Sequence, residues 1–223
     1  MLQRKGKKVL IYFFLLFIVG SINNIELNKI KFQGINNIKV LGLGNENNLN
    51  LLEDIKNLNL KNIFFIKNKK INEIISSNNL VEKYEVFKKY PSSLIINLEK
   101  TKFLAKINNG GKIFILGSNG KLLKNDTSNN QLPFIFGNPK IDEFLEFKKI
   151  IDASQLSYKK IKNFYFFNSK RWDLELKNDI VVKLPQKNIS NSLKLISKFL
   201  NNKNIRDFKI LDARIKNQII LDG

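Results

Sequence analysis

The sequence contains no cysteine and no histidine among its 223 residues. Without cysteine, the chain forms no disulfide and supports neither thiol catalysis nor an iron–sulfur cluster. Without histidine, it lacks the commonest general base at neutral pH and the commonest zinc ligand. A carboxylate pair or a lysine base would remain, but the acidic residues show no spacing typical of such a pair. We therefore expect a protein that is not an enzyme, with no catalytic, cofactor-binding or metal-binding residues.

Acidic residues are also scarce, with 19 Asp and Glu against 39 Lys and Arg, so the net charge is +20. A charge of this size is typical of nucleic-acid-binding proteins. The lysines are spread along the whole chain, however, and form no basic stripe. A composition biased toward Lys, Asn and Ile accounts for the charge more simply. We expect no nucleic acid partner, although a protein with a net charge of +20 would be attracted to an anionic bilayer surface.

The sequence has one apolar run that could meet a membrane, at residues 9–20, and four basic residues at positions 4–8 precede it. A cleaved signal peptide and a membrane anchor both fit this pattern. The run is about 18 Å long as a helix and reaches about 25 Å if it extends to Ile25, against about 30 Å of hydrocarbon. The side chains that would contact lipid are Val9, Leu10, Phe13, Phe14, Leu15, Leu16, Phe17 and Ile18.

Both interpretations export the rest of the chain. If the segment is an anchor, the positive-inside rule places residues 1–8 in the cytoplasm and the C-terminal body on the far side of the membrane. An exported body rarely meets nucleic acids or nucleotide cofactors. Whether it is an anchor or a signal peptide, the segment therefore favours a binding protein whose body is exported.

Hydrophobic periodicity predicts an α+β body whose first part has the order strand, helix, helix, strand, strand. A short strand begins at Ile38, and Leu51 and Ile55 recur at helical spacing. A second helix follows near residues 71–75. Strict alternation of apolar side chains at residues 94–98 predicts a half-buried strand.

The second part of the body is predicted to be rich in strands, with packed helices. Phe144, Phe147, Ile150 and Ile151 indicate an amphipathic helix. Trp172, Leu174 and Leu176 alternate with charged residues. Trp172 is therefore expected in the core, whereas Arg171 and Asp173 are expected on a solvated face. Two strand-like runs end the chain at residues 208–215 and 218–221. The last of them fits both an ordinary buried strand and an edge strand left open for a partner.

Several short motifs, in order along nearly the whole chain, resemble the FtsQ/DivIB family of bacterial cell-division proteins. They are Lys39-Val40-Leu41-Gly42, Tyr90-Pro91 followed by Leu94, Ile96 and Leu98-Glu99, Asn119-Gly120, Leu132-Pro133 with Gly137, Arg171-Trp172-Asp173-Leu174, Lys183-Leu184-Pro185 and Leu211-Asp212-Ala213-Arg214. The chain departs from the family pattern at Tyr90, where the family usually has Trp.

The resemblance implies a single-pass inner-membrane protein, with its N-terminus in the cytoplasm and its body in the periplasm. The expected segments are a cytoplasmic tail (1–8), a transmembrane anchor (9–25), a linker (26–36), a POTRA domain (37–101) and a β domain (102–223). A POTRA domain is a small extracytoplasmic module that binds proteins.

The implied function is that of a divisome scaffold, which links early and late cell-division proteins and binds septal partners resembling FtsB and FtsL. In the family, a partner adds a strand beside the last strands of the β domain. Mapped onto this sequence, the partner-binding residues are Phe208, Ile210, Asp212, Arg214, Ile215 and Ile219. The alternative is a POTRA-type accessory of envelope protein transport or assembly, which would be expected to carry POTRA repeats or a barrel.

Overall fold

The structure is a computed structural model that describes residues 3–22, 34–60, 63–66, 68–124, 131–201 and 208–222. Helix α1 (Gln3–Ile22) covers the predicted lipid-contacting residues, and its large apolar side chains from Val9 to Phe17 are exposed. The last three residues of the predicted anchor, at positions 23–25, lie outside the described residues. Within the described segments, no helix is both long enough and apolar enough to cross a membrane.

The first part of the body is a small three-stranded sheet packed against two helices. Its elements are β1 (Asn37–Leu41), α2 (Asn45–Lys56), α3 (Asn68–Ser77), β2 (Val81–Lys89) and β3 (Ser93–Lys100). Strand β3 lies in the middle, parallel to β1 and antiparallel to β2. The buried faces of both helices, including Leu51, Ile55 and Ile71, pack on Leu94 and Ile96 in one hydrophobic core. The order of elements is the one that the hydrophobic pattern predicted.

The second part of the body is a nine-stranded sheet. Its elements are β4 (Phe103–Asn109), β5 (Lys112–Gly117), β6 (Leu122–Lys124), β7 (Phe134–Phe136), α4 (Ile141–Asp152), β8 (Ile161–Phe166), β9 (Trp172–Leu176), β10 (Val181–Lys183), α5 (Ile189–Leu200), β11 (Ile210–Asp212) and β12 (Ile220–Asp222). The strand order is β12-β11-β10-β9-β8-β7-β4-β5-β6. The mixed α+β fold with a large sheet is therefore confirmed.

Helices α4 and α5 cover one face of the large sheet and close its core. Helix α4 contributes buried Phe144, Phe147 and Ile151, as its spacing predicted. Trp172 is 4% exposed and stacks on Phe147, with ring centroids 4.7 Å apart, so its predicted core position is confirmed. Helix α5 forms the crossover between β10 and β11, which pair in parallel, because parallel neighbours cannot be joined by a tight hairpin.

Candidate partner-binding edge

Strand β12 lies at one end of the nine-stranded sheet and pairs antiparallel with β11. Among the described residues, β11 is its sole strand neighbour. The opposite side of β12 therefore presents backbone N–H and C=O groups that a further strand can pair with. A further strand could therefore extend the large sheet at this edge, beside the C-terminal strand β12.

The side chains of β12 divide between the two faces of the sheet. Leu221 pairs with Leu211, whose side chain belongs to the core, so Leu221 extends the core face to the edge. Ile220 pairs with Asp212 and points to the other face. Ile220 is 49% exposed and Leu221 is 43% exposed. An incoming strand would cover both apolar side chains while it pairs with the backbone.

Two of the six residues predicted to bind a partner, Ile210 and Asp212, lie in β11 rather than at the open edge. Strand β11 is paired with β10 on one side and β12 on the other, so its backbone is already used. Phe208 is half-buried, and its ring centroid lies 5.5 Å from that of Phe199 on α5. These three residues therefore lie on the inner side of β12 and not on its open side.

The other three predicted residues lie closer to the open edge. Arg214 and Ile215 are exposed just after β11, in the connection to β12. Ile219, immediately before β12, is half-buried against the core. The prediction that these residues bind a partner remains a prediction.

Ile220 and Leu221 lie on the edge strand itself. They are not among the residues that the sequence predicts to bind a partner. Their signal in the sequence was the run of three apolar residues at positions 219–221, which was recognised as a possible edge strand. What the sequence did not give was the order of the last strands. That order makes β12 the outermost strand.

A carboxylate–guanidinium pair stabilises the turn that follows β11. The Nε group of Arg214 donates to both carboxylate oxygens of Asp212 at 2.9 Å, and the backbone N–H of Arg214 donates to the same carboxylate at 3.1 Å. The side-chain hydrogen bonds from Arg214 lower the pKa of Asp212, and the carboxylate in turn raises the pKa of Arg214. The pair fixes the path by which the chain reaches β12.

Behind this pair, a row of charged residues crosses the outer face of the sheet. Asp173, Lys183 and Asp212 are register partners on β9, β10 and β11, and Ile220 follows on β12. The expectation that Asp173 is solvated was wrong, because its side chain is 6% exposed and forms a salt bridge with Arg171 at 3.2 Å. The backbone N–H of Leu184 also donates to this carboxylate at 3.3 Å. A buried carboxylate is stable here because these donors replace water.

A second acidic centre on the same face surrounds Glu175. Its carboxylate accepts hydrogen bonds from Asn163 at 2.9 Å and Tyr165 at 2.6 Å, and Lys162 lies 2.8 Å away. The hydrogen bonds from Asn163, Lys162 and Tyr165 lower the pKa of Glu175 to about 2. The hydrogen bond to Glu175 raises the pKa of Tyr165. Glu175 is thus held ionised by its neighbours.

The depressed pKa of Glu175 predicts an acid-sensitive contribution to stability. The free energy of unfolding should contain a term that is fully present above the unfolded-state pKa near 4.5 and is lost as the pH falls toward about 2. The shift corresponds to at most about 3 kcal/mol. Urea unfolding at several pH values measures this term, and Glu175→Gln should lose less stability than the parent over that range. Equal acid sensitivity in the two proteins would contradict the assignment.

The described residues hold no group of three or more acidic side chains arranged to bind a metal ion. What the edge region offers is an open strand, exposed apolar side chains and fixed charges. These features can bind an extended peptide.

Comparison with known proteins places this region in a family. Residues 105–214 match the family model described as cell division protein FtsQ/DivIB, C-terminal. The cell division protein FtsQ of Bradyrhizobium diazoefficiens is 22% identical over 163 residues, which cover 71% of this chain and 48% of that relative. The FtsQ of Rickettsia bellii is 27% identical over 188 residues, which cover 75% of this chain and 65% of that relative. The chain thus spans between about half and two-thirds of the length of these relatives.

Among solved structures, the chain is similar to the major extracytoplasmic domain of the trans isomer of the cell division protein DivIB from Geobacillus stearothermophilus. The identity is 15%, the TM-score is 0.35, and the match covers 48% of this chain and 99% of that one. The family model and the curated relatives agree with the motifs that run along the sequence. Together, the match of residues 105–214 and the matches to curated FtsQ proteins support an FtsQ/DivIB family protein.

Proposed function

We propose that this chain is a cell-division scaffold that is held at the inner membrane and captures an extended segment of a septal partner on edge strand β12. The observation that carries the proposal is the open edge of β12 with Ile220 and Leu221 exposed. Similarity to the FtsQ/DivIB family supports the role in cell division.

Capture uses backbone pairing for affinity and alternate side chains for specificity. The added strand would continue the sheet order beyond β12, with one of its side chains beside Leu221 on the core face and the next beside Ile220 on the outer face. The partners are proteins resembling FtsB and FtsL. Arg214 and Ile215, which are exposed next to the edge, are placed to contact the parts of the partner that flank this strand.

The three-stranded sheet forms a second contact surface of the POTRA type, and the two parts of the body correspond to residues 37–101 and 102–223. Two separate hydrophobic cores support this division. Strand β1 is an edge of the smaller sheet, and Leu41 at its end is exposed. This edge, near residues 38–43, would contact other division proteins.

Helix α1 is the membrane anchor in this proposal. Its exposed apolar side chains at positions 9–17 have no polar face among them. The helical residues 9–22 are about 21 Å long, which is shorter than about 30 Å of hydrocarbon. Bilayer thinning and snorkelling of Lys7 and Lys8 would absorb the difference. The basic end would stay in the cytoplasm and the body would lie in the periplasm.

Depletion of the protein in its own organism tests the proposed function. Cells should grow into filaments with unfinished septa, and the full chain should restore division. A copy carrying Phe13→Lys and Leu16→Lys should not restore it, because each lysine costs about 2.5–3.5 kcal/mol at the centre of a membrane helix. Division that continues normally after depletion would contradict the scaffold role, and full rescue by the double lysine variant would contradict the anchor.

A further inference from the structure

We infer that a polar junction fixes the three-stranded sheet to the nine-stranded sheet, so that the chain presents the surfaces of both sheets in one constant orientation. The junction consists of Glu82, Thr101, Ser118, Asn119 and Lys121. Its contacts are independent of whether a partner binds β12, so this inference does not rest on the proposed function.

The covalent connection between the two sheets is very short. Strand β3 ends at Lys100 and β4 begins at Phe103, so Thr101 and Lys102 are the whole link. Thr101 is buried, and its backbone N–H donates to the carbonyl of Leu80 at 2.8 Å. A link of this length limits the distance between the sheets but leaves their relative rotation to be set by other contacts.

Asn119 supplies the central contact across the junction. It lies in the turn after β5, and its side-chain amide donates to the carbonyls of Asn79 and Val81, both at 2.9 Å. Its Oδ1 atom accepts from the backbone N–H of Lys121 at 3.0 Å, which holds the amide in this orientation. In the opposite direction, the amide of Asn79 donates to the carbonyl of Leu122 at 2.9 Å. Together these bonds tie the start of β2 to the turn before β6.

Glu82 adds a charged acceptor that reaches across the junction from β2. Its carboxylate accepts from the hydroxyl of Ser118 at 2.7 Å and from the hydroxyl of Thr101 at 3.0 Å. The hydroxyl of Ser118 also accepts from the backbone N–H of Lys102 at 2.9 Å. Hydrogen bonds to an ionised acceptor are stronger than those between neutral groups. One side chain of the small sheet therefore organises both the link and the turn of the large sheet.

Lys121 contacts the C-terminal end of α3. Its ammonium group donates to the carbonyl of Ser76 and, at 3.1 Å, to that of Asn78. The last carbonyls of a helix have no partner within the helix, and a cation is favourable there because of the helix dipole. Lys121 therefore adds a third contact between the two sheets, made to carbonyls at and just after the end of α3.

Close packing inside the junction leaves little room for rearrangement. A Cβ atom added at Gly117 would lie 2.6 Å from Oδ1 of Asn119 and 2.7 Å from the hydroxyl oxygen of Thr101. The polar contacts from the turn at residues 118–121, the link of two residues and the tight packing at Gly117 all serve the same connection. Domains joined in one chain usually move relative to one another unless a large hydrophobic interface holds them together, so the polar contacts must supply that restraint in this chain. Here the junction prevents that motion.

Distance measurement between spin labels tests the inference in the full-length protein in detergent. The chain has no native cysteine, so Glu85→Cys on β2 and Lys198→Cys on α5, both exposed positions, place one label on each sheet. Double electron–electron resonance should give one narrow distance distribution. Adding Asn119→Ala and Lys121→Ala should broaden it at least about twofold, because the released parts then move independently.

The matched control is Asn108→Ala, at an exposed position near the end of β4, which should leave the distribution narrow. If the double variant fails to fold, Lys121→Met is the second variant, since it removes the ammonium donor at the surface and keeps the apolar stem. Broadening in either junction variant supports the inference. A width equal to that of the control, or a parent distribution that is already broad, would overturn it.

Discussion

Replacing Ile220 by lysine should weaken capture of the proposed septal partner. Ile220 is 49% exposed at the open edge, and burying this remaining half of the side chain under an added strand is worth about 1 kcal/mol. A lysine at this position loses most of the free energy of burial. Its charge also disfavours pairing of a further strand with the edge. The lost burial and the added charge together give an expected loss of affinity of about tenfold. Co-purification of the full chain with the proposed FtsB-like and FtsL-like partners measures the loss of affinity.

A matched control comes from the other end of the same sheet. Ile113 on β5 is 45% exposed, so Ile113→Lys makes the same chemical change at a comparable surface position far from β12 in the strand order. It should leave capture unchanged. Equal loss of capture in both variants, or normal capture by Ile220→Lys, would contradict the assigned edge. A proline at Ile210 would be a poorer test, because β11 is paired on both sides and the sheet itself would be disrupted.

The second large effect concerns the aromatic core beneath the sheet. Trp172→Ala should lower the free energy of unfolding by about 3–5 kcal/mol. The indole stacks on Phe147 at 4.7 Å and contacts the rings of Phe164 and Phe166, so the truncation leaves a cavity that these rings cannot fill. Urea unfolding of the full chain in detergent, followed by far-ultraviolet circular dichroism, measures the change.

The control for this truncation is Phe167→Ala, which removes another aromatic ring. Phe167 is exposed, and its ring lies under the guanidinium of Arg171 at 4.3 Å. Its loss should cost about 1 kcal/mol or less. If Trp172→Ala costs no more than this control, the aromatic cluster is not the centre of the core.

Local periodicity was sufficient to predict most of the elements and much of the core. Leu94, Ile96 and Leu98 alternate along β3 and are all buried. The spacing of Phe144, Phe147 and Ile151 gave α4 and its buried face. In these segments the packed face is determined by the period of the sequence itself. The side chains that face the core could therefore be identified without knowledge of the partners that they meet.

The order of the strands could not be predicted in the same way, because it depends on contacts between distant segments. The parallel pairing of β10 with β11 across α5 places β11 inside the sheet and leaves β12 outside. The sequence showed two similar apolar runs there and did not distinguish the inner from the outer one. Asp173 was misassigned for a related reason. Alternation gave its face correctly, but its burial depends on Arg171 and on the backbone of Leu184.

Hydrogen–deuterium exchange of the full chain, with and without the proposed FtsB-like and FtsL-like partners, tests the central claim most directly. An added strand pairs with the free backbone groups of β12, so exchange at residues 220–222 should slow when the partners bind, because paired amides exchange only when the structure opens. Exchange in β5, at residues 112–117, should stay unchanged. Slower exchange elsewhere in the body, with residues 220–222 unaffected, would show that the partner binds another surface and would contradict the account.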